Sequence, residues 1–153
     1  MADIIYFCQT MNTFLPYPDF TESARCLDSR RLGKQRVEAM QILRALANPN
    51  YGWQHHPAVQ MWRGYDQALK LYMNAIIEEW VRRGYRNNMP LVGVMGKIEM
   101  PLWVGNENFH ASHRSSLLRK DPKHYAQFCW KEVPDLPYIW PVGKGRINES
   151  TKK

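Results

Sequence analysis

Cysteine is scarce. The three that occur, Cys8, Cys26 and Cys129, are odd in number and show no CxxC spacing. That argues against a disulfide framework and a zinc knuckle, and fits reduced, buried thiols in a cytosol. No apolar run approaches the roughly 20 residues a membrane span needs. The opening "MADIIYFCQT" has neither the basic start nor the long apolar centre of a secretory signal. The reading is a cytoplasmic, membrane-free chain and a monomer. Repeats, low-complexity tracts and dividing linkers are also missing, and 153 residues suit one domain with a real core.

Acidic residues are the other shortage: 14 Asp+Glu stand against 21 Lys+Arg, a net charge of +7. A basic chain with 12% aromatic residues has what a nucleic-acid binder uses, cations for phosphates and flat rings for bases. The same composition also describes a basic surface that is merely solvated.

Periodicity predicts an all-α fold: a compact single domain of two long helices plus shorter helices, with ordered loops and an extended C-terminal segment. The expected division is an N-terminal extension (1–10), a helical domain (11–142) and a polar tail (143–153). "MNTFLPYP" reads as an extended lead-in. Asp19 with Glu22 resembles an N-cap pair, and Asp28 either caps a second helix or lies within one long helix bent near Gly33. Along 27–47, Leu32, Ala39, Met40, Leu43, Leu46 and Ala47 form the predicted core face. Arg30, Arg31, Lys34 and Glu38 project from the other side, and Arg36 falls beside the stripe, so it needs a partner or a cleft. A second long helix is predicted from Pro57 through Arg83, with Gly84 at its C-cap. Residues 86–108 read as a connection holding at most a short irregular helix. A helix over 112–120 and a further one capped by Asp121-Pro122 come next, then the proline-bound "VPDLPYIWPVG".

Four stretches in order, "LGKQRVEA" (32–39), "GWQHHPAV" (52–59), "VRRGY" (81–85) and "SHRSSLLRKDPKHY" (112–125), resemble the pyrimidine-dimer DNA glycosylase (endonuclease V-type) family. The resemblance implies an all-α domain that binds duplex DNA, flips a base and cleaves the glycosidic bond with no metal or organic cofactor. It further implies an attacking backbone α-amine, whose pKa of about 7.7–8.0 suits neutral pH better than a lysine's, and a nearby glutamate that stabilises the sugar cation and moves protons. The family's Arg-Glu pair falls on Arg36 and Val37 without a gap, or on Arg36 and Glu38 if one residue is inserted. An amine at Met11 or Asn12 would occupy the family's position. If the free amine belongs instead to Met1 or Ala2, the extension has to fold back to the site.

The candidate catalytic residues are therefore Glu38, Arg36 and Asn12, and the candidate DNA contacts Arg30, Arg31, Lys34, His56, His113, Arg114, Arg119 and Lys120. Each has a plainer alternative. Glu38 lies four residues after Lys34 and forms a surface ion pair in that reading; Arg36 clamps helix ends. Tyr138 and Trp140 either wedge into DNA or strap the core. His55, His56, His110 and His113 have spacings open to zinc, but no cysteine or carboxylate motif completes a site. The leading function is a DNA base-excision glycosylase with AP-lyase activity, acting on damaged or modified bases. A non-catalytic nucleic-acid-binding module and a metal-dependent hydrolase are the alternatives.

Overall fold

The computed structural model describes residues 11–144. Its regular structure is helical, with no strand among the described residues. Helix α1 (Phe20–Cys26) begins where the Asp19 carboxylate accepts from the Glu22 N–H at 2.8 Å. Leu27 is extended, and Asp28 then caps α2 (Ser29–Ala47) by accepting from the Arg31 N–H. The two caps open two helices, so the bent-helix alternative at Gly33 does not hold. Gly33 has another use: a Cβ there would lie 3.0 Å from the Trp80 ring, so glycine lets that ring rest on α2.

The predicted long helix over 57–83 is two helices, α3 (Pro57–Trp62) and α4 (Asp66–Arg82). The break is at Gly64, which has φ +88°. The C-terminal segment fixes it, because the N–H groups of Gly143 and Lys144 donate to the carbonyls of Gln60 and Arg63, each at 2.9 Å. A Cβ on Gly143 would overlap the Arg63 carbonyl oxygen, so only glycine makes this approach. Gly143 and Lys144 thus belong to the folded body, while the extension 1–10 and the rest of the tail lie outside the described residues. Helix α5 (Glu107–Lys120) starts five residues earlier than the sequence predicts, because Asn106 caps it by accepting from the Phe109 N–H at 3.1 Å. Asp121 caps the short α6 (Pro122–Tyr125), as expected, and a 3-10 turn (Ala126–Phe128) follows. No helix forms in 86–105.

Helix α4 is the hub, with α1 and α2 packed on it. Its Ala68, Leu69, Tyr72, Met73, Ile76 and Ile77 are all buried. The buried face of α2 is Leu32, Gln35, Ala39, Ile42 and Ala45, rotated from the predicted stripe, and Ala47 is exposed. The rotation follows from the extended residues 11–16, which run buried beside α2. A buried extended segment has no ladder for its backbone, so side chains must supply the partners. Gln35 accepts from the Phe14 N–H (3.1 Å), His113 Nδ1 from the Leu15 N–H (2.9 Å), and His110 Nδ1 meets the Leu15 carbonyl (2.8 Å). The Tyr72 hydroxyl reaches the Phe14 carbonyl, and Arg114 donates to that of Pro16.

Candidate active site

Glu38 occupies the third turn of α2 on the side that the 11–16 segment covers, which makes it half-buried. Gln35, one turn earlier, donates from Nε2 to Glu38 Oε2 at 2.6 Å. The backbone N–H of Asn12 also hydrogen-bonds the Glu38 carboxyl. Asn12 is itself buried, and its Oδ1 accepts from the Tyr138 hydroxyl and from the Thr13 N–H. Tyr138 stacks on His113 with ring centroids 4.5 Å apart. Burial raises the Glu38 carboxyl to about 8; the Asn12 N–H, the Lys34 charge and the Gln35 amide pull the other way without cancelling it. The group is therefore mainly a neutral acid at pH 7.

Two concavities meet at this carboxyl. One is a cleft of about 290 Å³ whose walls include Phe14, Arg30, Arg31, Lys34, Glu38 and Lys120. The other, about 380 Å³ and more apolar, includes Met11, Gly33, Lys34, Val37, Glu38 and Trp53. Lys120 reaches the cleft from the C-terminal end of α5, and burial together with Arg31, Arg119 and Lys34 lowers its pKa. Four cations, Arg30, Arg31, Lys34 and Lys120, thus share the cleft with one carboxylic acid. No Lys34–Glu38 ion pair forms within 4 Å among the described residues; Gln35 takes that place.

The structure brings together Glu38, Asn12, Arg30, Arg31, Lys34 and Lys120, with Arg119 close to Lys120 and exposed. Four candidates sit elsewhere. Arg36 lies over the Trp80 ring, 4.4 Å from its centroid, and donates to Asn87 Oδ1 at 2.9 Å, so it clamps the C-terminal end of α4. Arg114 is buried, paired with Glu132 (2.9 Å) and Glu107 and bonded to the Pro16 carbonyl. Its guanidinium holds the lead-in segment and offers little to a phosphate. His113 is fully buried, with its ring neutral because burial, then His110, lowers its pKa well below 6.5. His56 caps α3 by accepting from the Ala58 N–H at 3.0 Å and meets Trp53 and Trp140 edge-on. His110, His113 and Arg114 of α5 thus turn inward to satisfy Leu15 and Pro16 and do not join the cationic cleft.

The zinc spacings have the same explanation. His110 accepts from the Gly105 N–H at 2.9 Å with one ring nitrogen and holds Leu15 with the other. No group of three His, Cys, Asp or Glu side chains among the described residues is arranged to hold a metal ion. Tyr138 and Trp140 form a strap on the core rather than a free wedge: their rings pack on each other and on His113 and His56.

Gln35 is the site residue that sequence reasoning passed over. The available signal was its position three residues after Leu32 and four before Ala39, a polar side chain on the core stripe.

A family model described as pyrimidine dimer DNA glycosylase matches residues 11–92. The chain belongs to that family. No curated protein and no solved structure matches it. The match takes in the buried lead-in, α1 to α4, Asn12, Gln35 and Glu38. It stops before α5 and the strap, so Lys120 and Tyr138 lie outside it. Nor is any helix among the described residues long and apolar enough to cross a membrane.

Proposed function

We propose that this chain is a DNA glycosylase that cleaves the glycosidic bond of one base of a pyrimidine dimer in duplex DNA, with Glu38 as its acid and with Arg30, Arg31, Lys34 and Lys120 on the DNA backbone. The observation that carries the reading is Glu38 itself, a half-buried acid at the meeting point of a cationic cleft and an apolar groove. Cations that converge on a concavity gather phosphates, which contribute affinity without sequence preference. A carboxyl with a midpoint near 8 is protonated at pH 7 and can give its proton to a departing base. The resulting carboxylate faces the positive charge that develops on the sugar.

The products depend on the attacking group. Water at C1′ breaks the C1′–N bond of one dimer nucleotide, leaving an abasic sugar and a pyrimidine that has lost its own sugar but stays bonded to the other pyrimidine of the dimer. If the nitrogen of residue 12 is a free amine, it attacks C1′ instead. The base leaves with the Glu38 proton, and the carboxylate takes a proton from the amine. O4′ is then protonated as the ring opens, leaving an imine from which a strand break proceeds by elimination. We place AP-lyase activity with that second form, because the Asn12 nitrogen already touches Glu38. A second reading, a DNA-binding module without chemistry, draws on the peptide bond that occupies the Asn12 nitrogen in the 153-residue chain and on the withdrawal of Arg36 to Trp80.

Borohydride trapping on dimer-containing and abasic duplexes, using the full chain and a chain beginning at Asn12, separates the readings. A covalent adduct with the shorter chain supports the lyase. Abasic-site formation in the dimer duplex without an adduct supports hydrolysis alone, and binding with neither supports the module.

A further inference from the structure

We propose that Gln35 is a positioning residue for Glu38: its buried side-chain amide holds the carboxyl against the residue-12 nitrogen and sets which carboxyl oxygen is left to carry a proton. This rests on the reading of Glu38 as the acid. Gln35 is 1% exposed and makes three directed contacts. Its Oε1 accepts from the Phe14 N–H at 3.1 Å and lies 2.8 Å from the Tyr72 hydroxyl, whose single proton it shares with the Phe14 carbonyl, and its Nε2 donates to Glu38 Oε2 at 2.6 Å.

Those contacts fix the amide's orientation. A flipped Gln35 would set its NH₂ against the Phe14 N–H, donor against donor, and would turn a carbonyl oxygen toward Glu38. Tyr72 is fully buried on α4, and its hydroxyl also lies 2.9 Å from the Phe14 carbonyl, so the pin is anchored in the core. With Oε2 held as an acceptor, the proton of the neutral acid goes to Oε1. A glutamine that served only to tie the lead-in segment to α2 would need the Oε1 contacts and not the third one.

The other titratable groups around Glu38 are Arg30, Arg31 and Lys34 on its own helix, Lys120 from α5, Tyr72 from α4 and Tyr138 from the strap. Burial keeps both tyrosines neutral across the working range, and among the described residues Gln35 is the one side chain that donates to that carboxyl.

The test begins with the unaltered protein. The Gln35 side-chain amide proton and the Glu38 carboxyl carbon are followed by NMR as pH rises, and a shared midpoint is expected. The variant Gln35→Glu keeps an acceptor for Phe14 and Tyr72 but turns an oxygen toward Glu38. Two carboxyl oxygens at that separation share a proton, so the upper midpoint of the pair should rise by about one pH unit or more above that of Glu38 in the parent. Glycosidic cleavage at pH 7 should fall at least about tenfold in kcat, with KM within about twofold, since DNA is bound by the cations. Gln35 amide signals that ignore the Glu38 titration, or a Glu38 midpoint unmoved in a folded Gln35→Glu protein, would overturn the proposal. If the parent cleaves no glycosidic bond, the functional reading falls instead, and the titrations still decide the role of Gln35.

Discussion

Replacing Glu38 with glutamine should make the protein more stable, and only at high pH. Burial raises this carboxyl from 4.5 to about 8. Between those values the folded chain holds a proton that the unfolded chain has lost. Stability therefore falls as pH rises through that window and levels off above it. At about 1.4 kcal/mol per pH unit, the ceiling for this loss is about 5 kcal/mol. Glu38 is half-buried and opens on a wet cleft, so screening reduces the expected loss to about 2 kcal/mol. Glutamine carries no such penalty. Its oxygen still accepts from Gln35 or Asn12, and its NH₂ turns toward the cleft. Urea denaturation of both proteins at pH 5 and pH 9 measures the effect. Near-equal stability is expected at pH 5, and at pH 9 a gain of about 2 kcal/mol for Glu38→Gln, or a Tm higher by about 4–8 °C. A difference independent of pH would refute the reasoning, because it would mean that the fold does not resist the Glu38 charge.

The buried histidine gives an opposite slope. With its folded pKa well below 6.5, His113 contributes stability that is present above pH 6.5 and lost as pH falls beneath it. In His113→Asn, whose Oδ1 can accept from the Leu15 N–H, the decline between pH 6.5 and 5 should be shallower in denaturation curves. Gly143→Ala should destabilise by about 1–3 kcal/mol, because the added methyl overlaps the Arg63 carbonyl; an unchanged urea midpoint would refute the docked C-terminal segment. Lys34→Gln and Lys120→Gln should each lower the slope of log binding constant against log salt by about one, for any duplex sequence. Arg114→Gln should leave that slope alone and cost about 3–5 kcal/mol of stability, since it strands the half-buried Glu132.

Local signals carried the reading of the fold as far as local causes reach. Asp19, Asp28 and Asp121 cap the helices they precede, and Pro57 opens α3, because each acts within three residues of itself. The break at Gly64 could not be read, since what fixes it is Gly143, far along the chain. Distance also explains the misplaced histidines and Arg114. Their partners, Leu15 and Pro16, are nearly a hundred residues upstream, and an isolated "SHRSS" shows only the surface-like polarity of its letters. Glu38 was legible through the family resemblance and not through its own neighbourhood, where Lys34 suggested a surface pair. The buried lead-in that turns it into a raised acid is extended, and extended segments without alternation announce neither face nor partner.

Glu38 is held to perform the chemistry at a site that the cations only fill. Glycosidic-bond cleavage in a duplex containing one pyrimidine dimer, read as abasic sites and measured for the parent and for Glu38→Gln beside equilibrium binding to the same duplex, tests that claim most directly. Cleavage by the parent is predicted, with a Glu38→Gln protein that binds at least as tightly while its cleavage rate drops by about a hundredfold or more. A Glu38→Gln protein that cleaves the bond at the parent rate would contradict it.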